Sequence, residues 1–237
     1  MTTYESIMSV IAKPMGLLLE LIYNLIPSYG ITLIVFTLIV RGCLFPVYAS
    51  QIKGSMRMKD IQPKMQAIQR KYANDKQQMN VKLMELYKEE KYNPARGCLP
   101  LLIQMPIILA LFVLLRNPTA FIETPQMIMA VHEPFLWIPD LSQPDSWILP
   151  IATGVAQFFA FSFTPGMGGQ GADVAGTAGM MKMMKYFFPI MLVWMARAFP
   201  SGLAVYWFVG TLFMIAQSLL MSKWRKKQEA RATAAKA

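Results

Sequence analysis

Apolar residues along this chain gather into long uninterrupted runs, separated by stretches in which Lys and Arg recur every few positions. Five runs are long enough to read as membrane-spanning helices: residues 31–49, 99–115, 148–163, 183–198 and 203–221. A spanning helix takes about 20 apolar residues, with a range of about 17–25, so the third and fourth runs sit at the lower edge. A sixth stretch, residues 15–26, is too short to span and carries Glu20. Its Leu17, Leu18, Leu21, Ile22 and Leu25 recur at helical spacing. That pattern predicts a helix lying in the membrane interface, although a short buried helix would share it.

Between the first and second runs the pattern changes character. Ile61, Met65, Ile68 and Tyr72 form one helical stripe, and Met79, Leu83 and Leu86 form another, with Met84 and Tyr87 beside it. Two amphipathic helices joined near Asn74 and Asp75 are expected, with Pro63 marking a first turn or kink. The expected fold is therefore all-α and polytopic. Residues 1–30 form an extracytoplasmic N-terminus with the interfacial helix, 31–49 the first span and 50–96 a cytoplasmic helical hairpin. The second span falls at 97–116, an extracytoplasmic loop at 117–147, the third span at 148–163 and a cytoplasmic loop at 164–182. The last two spans, 183–198 and 203–221, lead to a basic cytoplasmic tail, 222–237.

Composition supports a membrane setting. Of 237 residues 55% are hydrophobic and only 15% are charged, against about 25% charged in soluble domains. An ordinary soluble enzyme and a disordered chain are both excluded. Two cysteines, Cys43 and Cys98, offer no disulfide framework, and the single His132 removes most metal and histidine-based chemistry. No metal, nucleotide or cofactor site is expected, and no catalytic residue. Nothing before the first run has the form of a cleavable signal peptide, and no internal repeat is visible.

The net charge of +10 is sorted by loop. Residues 50–96 hold eleven of the 23 basic residues, the loop at 164–185 holds Lys182 and Lys185, and the tail after 221 holds six more. With five alternating spans all of these share one side. The opposite side keeps Lys13, Arg116 and Arg197 against six carboxylates. The positive-inside bias then puts the N-terminus outside and the C-terminus in the cytoplasm.

One basic residue stands apart. Arg41 lies roughly 15 Å into the first run at about 1.5 Å per residue, and none of the five runs contains an Asp or Glu to neutralise it. An arginine at mid-membrane costs about 2.5–3.5 kcal/mol on insertion scales and does not shed its proton. Snorkelling to the cytoplasmic edge is one reading. The other is a water-filled cavity shaped by Thr37, one turn earlier on the same face, with Gln104, Gln157, Tyr206, Trp207 and Gln217. In that reading Arg41 attracts polar or acidic parts of a passing chain.

The remaining features are less specific. The hairpin reads either as a solvated pair near anionic headgroups or as a mobile docking element for clients or targeting machinery. Six glycines between Gly166 and Gly179 suggest a flexible linker, because no Gly-Lys-Ser/Thr follows to make a phosphate loop. Twenty methionines suit either an adaptable client surface or gap-filling between helices. Basic residues 223–231 fit ribosomal RNA contact or a plain stop-transfer flank. An anion channel or transporter would also use a lone intramembrane arginine. A serine protease around Ser201 and His132 lacks any GxSxG-type setting.

Four motifs narrow the choice. They are Leu38-Ile39-Val40-Arg41-Gly42 followed by Pro46, and Met58-Lys59-Asp60-Ile61-Gln62-Pro63-Lys64 in the hairpin. The third runs from Asn93-Pro94 through Gly97-Cys98-Leu99-Pro100 to Gln104-Met105-Pro106-Ile107, and the last from Phe199-Pro200-Ser201-Gly202-Leu203 to Tyr206-Trp207. Across residues 14–221 the chain resembles the YidC/Oxa family of membrane protein insertases.

The resemblance implies a five-helix core with a hydrophilic groove open to cytoplasm and bilayer. Client transmembrane segments and short polar tails would pass through it and be released into lipid. Its arginine falls at Arg41, and groove or client-contact positions at Thr37, Gln104, Tyr206 and Trp207; Gln157 falls where members vary. Ile108 and Arg197 depart from the family pattern, the latter near the outer end of the fourth span. Lys53, Arg57, Lys59, Lys64, Lys226 and Lys227 are the expected cytoplasmic docking residues for clients or ribosome. Implied partners are nascent clients, the ribosome, the signal recognition particle and its receptor, the Sec translocon and anionic lipids. The implied location is the bacterial plasma membrane, and the short form resembles that of Gram-positive bacteria and organelles, without a large periplasmic domain.

Overall fold

The computed structural model describes residues 3–93, 99–163 and 183–234, and the named elements among them are all helical. The expected glycine-rich loop at 164–182, Arg96 and Cys98 lie outside the described residues. In chain order the helices are α1 (Thr3–Leu25), α2 (Tyr29–Cys43), α3 (Phe45–Lys71), α4 (Lys76–Glu89) and α5 (Leu99–Arg116). After a 3-10 turn at Pro118–Ala120 come α6 (Pro125–Ala130), α7 (Ile148–Phe163), α8 (Phe188–Ala196) and α9 (Ser201–Ala234). A π-helical segment, Met183–Phe187, leads into α8.

The helices differ from the sequence pattern in four places, two of them with a clear physical reason. The first apolar run, expected as one helix over 31–49, is divided at Leu44, whose N–H closes α2 on the carbonyl of Val40. Pro46 follows in the first turn of α3, where its missing N–H costs nothing, whereas it could not donate back to Gly42 to extend α2. The expected short helix at 15–26 begins at Thr3 instead and runs through Pro14. Ala12 extends the buried stripe of Met15, Leu19 and Ile22 at spacings of three and four, so packing outweighs one lost hydrogen bond. Pro63 is interior to α3 rather than in a first turn, and most of the basic tail is helical, continuing α9 to Ala234.

Only Ser201–Lys227 is by itself long and apolar enough to cross a membrane among the described helices; Tyr29–Cys43 and Phe45–Gly54 pass that test as a pair. Leu102–Arg116, Ile148–Phe163 and Lys185–Ala196 are apolar but shorter.

The described chain forms two compact units. The first comprises Met1–Leu44, Pro100–Gln157 and Pro189–Phe213. Its core joins Leu19 and Ile22 of α1, Leu33 and Phe36 of α2, Leu111 and Leu114 of α5, and Leu203 and Tyr206 of α9. Glu20 is buried here, and its Oε1 accepts the N–H groups of Glu123 (2.6 Å) and Thr124 (2.7 Å). Glu133 likewise accepts the Tyr23 hydroxyl and the Tyr29 N–H, each at 2.9 Å, tying α1 to the start of α2. Burial first, and then Glu133, push the Tyr23 hydroxyl above its ordinary pKa. The opposite face of α1 leaves Val10, Leu17, Leu21 and Leu25 exposed, an apolar stripe suited to lipid.

The second unit comprises Phe45–Leu99, Phe158–Phe188 and Met214–Ala237. Ile61 and Met65 of α3 pack against Met79, Leu83 and Leu86 of α4. Asp75 caps α4 by accepting the N–H groups of Gln77 (3.1 Å) and Gln78 (2.9 Å). Arg225 in the last part of α9 donates to both carboxylate oxygens of Asp60 on α3, at 2.8 Å each.

Candidate functional site

Within the first unit, α2 and α9 touch at three levels. A side chain on Gly202 would meet Leu33, the Phe36 and Tyr206 rings lie 6.3 Å apart, and Gly210 faces Arg41. Residue numbers rise together on both helices, so the two run parallel. The third level carries the charge. Arg41 is only 7% exposed, and a Cβ on Gly210 would lie 2.5 Å from Nη2, 2.8 Å from Nε and 3.0 Å from Cζ. The guanidinium therefore occupies space that α9 leaves open only because residue 210 has no side chain.

The other polar side chains expected from the sequence are drawn onto α9 from different helices. Gln104 on α5 donates from Nε2 to the Tyr206 hydroxyl at 3.1 Å. Gln157 on α7 accepts at Oε1 from Trp207 Nε1 (3.2 Å) and from the Thr211 hydroxyl (3.4 Å). Tyr206 is fully buried and Gln157 nearly so. Along α9 the polar contacts thus run over Tyr206, Trp207, Gly210 and Thr211, about one and a half helical turns.

Two expected positions behave differently. Thr37 is buried, and its hydroxyl turns back on its own helix to the Leu33 carbonyl at 2.6 Å. The hydroxyls of Thr153, Ser162 and Thr211 make the same bond four residues back, which satisfies them without water. Gln217 belongs to the second unit, where Nε2 donates to the Phe45 carbonyl at 3.4 Å.

Sequence reasoning missed Gly210 and Thr211. A glycine signals its role only when its neighbour is known. Thr211 could have been found from its place four residues after Trp207, on the face already marked as polar.

The expected docking residues Lys53, Arg57, Lys64, Lys226 and Lys227 are exposed in the second unit; the side chain of Lys59 lies outside the described residues. Lys64 is exposed and pairs with Glu90, whose hydrogen bond and charge raise its ammonium pKa.

On the segment between α5 and α7, His132 Nδ1 lies 3.0 Å from the Ser142 hydroxyl and 3.1 Å from Asp140 Oδ2. Both partners compete for one ring nitrogen, whereas a serine–histidine–carboxylate relay needs them on opposite nitrogens. Ser201 is buried and donates to the Gln143 carbonyl at 2.6 Å.

Residues 21–229 match the model of the 60Kd inner membrane protein family. The membrane protein insertase YidC of Wolinella succinogenes is 39% identical over 226 residues, covering 95% of this chain and 39% of that protein. YidC of Vibrio cholerae and of Haemophilus influenzae are each 36% identical over 220 residues, 92% of this chain and 38% of theirs. The chain thus spans about two fifths of the length of these relatives. A crystal structure of an active YidC insertase with its first transmembrane domain resolved superposes with a TM-score of 0.63 at 29% identity. That match covers 91% of this chain and 46% of the other.

Proposed function

From the premise that the chain belongs to the 60Kd inner membrane protein family, that of the YidC insertases, we propose that it inserts client membrane segments by way of Arg41. The observation that carries this reading is the buried Arg41 guanidinium, held against Gly210 beside a turn of α9 lined with hydrogen-bonded polar side chains.

A client helix and its short polar flank enter from the cytoplasm. The flank would otherwise meet a barrier of about 2.5–3.5 kcal/mol for each charge at the bilayer centre. Arg41 offsets this by offering a fixed positive charge to acidic or polar groups, and the Gln104–Tyr206 and Gln157–Trp207 pairs offer exchangeable hydrogen bonds. The client's apolar segment then partitions into lipid past the first and fifth spans, at about 0.8 kcal/mol per buried CH₂. No nucleotide-driven step is invoked.

Five spans, with α3 and α4 as a cytoplasmic pair and the N-terminus outside, complete the proposed topology. The span formed by α7, 16 residues, reaches only roughly 24 Å at about 1.5 Å per residue, against about 30 Å of hydrocarbon. Local bilayer thinning beside it would shorten the client's path. Nascent clients are the proposed partners, with the ribosome, signal recognition particle, its receptor and the Sec translocon as cytoplasmic or membrane associates.

The test is reconstitution of the purified chain into vesicles with a single-span client bearing a short acidic translocated tail. Protease protection of that tail is expected with the parent chain and is expected to fall with R41A. Full protection by R41A on every charged-tail client would refute the role of Arg41.

A further inference from the structure

A second arginine in the first unit is placed among aromatic rings rather than carboxylates. Arg197, just beyond the end of α8, stacks its Cζ 3.9 Å from the centre of the Trp147 ring and 5.7 Å from that of Trp194. Among the described residues no carboxylate lies within 4 Å of its guanidinium. The nearest acid in sequence to Trp147, Asp145, is engaged by the Leu149 N–H at 2.6 Å, capping α7.

The two indoles are 51% and 68% exposed, and each ends an apolar exposed stripe. Ile148, Ile151 and Val155 continue from Trp147 along α7, and Ile190 precedes Trp194 by one turn on α8. Exposed apolar helix faces that end in tryptophan mark the headgroup level of a bilayer.

We propose that Arg197, framed by Trp147 and Trp194, holds the phosphate of an anionic phospholipid in the leaflet on the side of the 117–147 segment. A guanidinium stacked on an indole still presents its N–H edge in plane, the geometry that grips a phosphate through two parallel hydrogen bonds. The stack also occupies the indole face that would otherwise attract a choline ammonium, so the site favours a headgroup with net negative charge. Being desolvated on one side by the rings, the guanidinium gains a counter-ion from the lipid. This requires that the chain be embedded in a membrane and is independent of whether it inserts clients.

The experiment is native mass spectrometry of the full chain released from nanodiscs of equimolar phosphatidylglycerol and phosphatidylcholine, counting retained lipids. The parent is expected to retain phosphatidylglycerol over phosphatidylcholine, with Arg197 contributing about a fivefold factor, which is what about 1 kcal/mol per basic residue at a membrane surface supplies. R197L is expected to lower the retained ratio by about that fivefold factor, leaving the preference contributed by the basic residues of the 50–96 segment and the tail. R197Q, which keeps a polar side chain at the position, should do the same if R197L folds poorly. R197K, with the charge but not the fork, should fall between. Equal retention of both lipids by the parent, or an unchanged preference in R197L and R197Q, would overturn the proposal. Displacement of the retained lipid by millimolar inorganic phosphate would overturn the lipid assignment in favour of a free-anion site. Insertion activity enters none of these readouts, so failure of the insertase reading leaves the result interpretable.

Discussion

Arg41 and Gly210 occupy complementary volumes: a Cβ at position 210 would fall 2.5 Å from Nη2 of the arginine. The contact is with the far end of a flexible side chain, so a methyl group displaces the guanidinium rather than breaking the helix pair. G210A is therefore expected to cost about 1–3 kcal/mol of stability, as overpacking does. Insertion of clients with charged tails should decrease, while that of clients with apolar tails is retained. Thermal unfolding and a protease-protection assay on matched clients measure the two effects; equal loss on both client classes would point to simple misfolding.

Glu20 contributes to stability through backbone groups rather than through a cation. Its Oε1 satisfies two N–H groups at the approach to α6. E20A strands both donors and should destabilise the first unit by about 1–3 kcal/mol. E20Q keeps one acceptor oxygen and should lose less. Melting temperatures in detergent order the three chains as parent, E20Q, E20A; an E20A chain as stable as the parent contradicts this.

Asp140 predicts a pH dependence. Burial opposes ionisation of its carboxyl, but hydrogen bonds from Ser142 and the His132 ring outweigh burial and hold its pKa below the ordinary value. A lowered folded-state pKa stabilises fully above the unfolded value of about 3.9 and is lost as pH falls through the folded value. D140N should therefore melt below the parent at pH 7, and the gap should close as pH drops from about 4 downward. A gap independent of pH would assign the effect to packing.

Arg225 and Asp60 join the end of α9 to α3, both within the second unit and both partly exposed. An exposed pair is worth about 0.2–1 kcal/mol. A double-mutant cycle of D60N and R225Q in thermal unfolding should give a coupling in that range at low salt, shrinking at high salt. Coupling that salt leaves unchanged would contradict an electrostatic link.

Much of the helical framework is legible in the hydropathy pattern, because apolar runs and amphipathic stripes report burial directly. Helix α7 has the bounds of its apolar run, and Arg41 stands out because charge in such a run is costly. The break at Leu44 was less visible: Pro46 lies inside an apolar run, and only the hydrogen-bond register tells where a helix must yield to it. The apolar stretch at 15–26 showed only the second half of α1; the first half becomes evident once Ala12 is seen to continue the buried stripe across Pro14. Gly210 was illegible for a different reason. Its meaning is the volume it leaves to a residue 169 positions earlier, and no local pattern encodes that.

The claim that clients pass beside Arg41 is tested most directly by site-specific photo-crosslinking of a nascent single-span client. Probes at positions 37, 41 and 207 should capture the client during insertion and release it once the segment is in lipid, while probes at the exposed Ile151 and Val155 of α7 should capture lipid or nothing. Client crosslinks confined to 151 and 155, with none at 37, 41 or 207, would contradict the account.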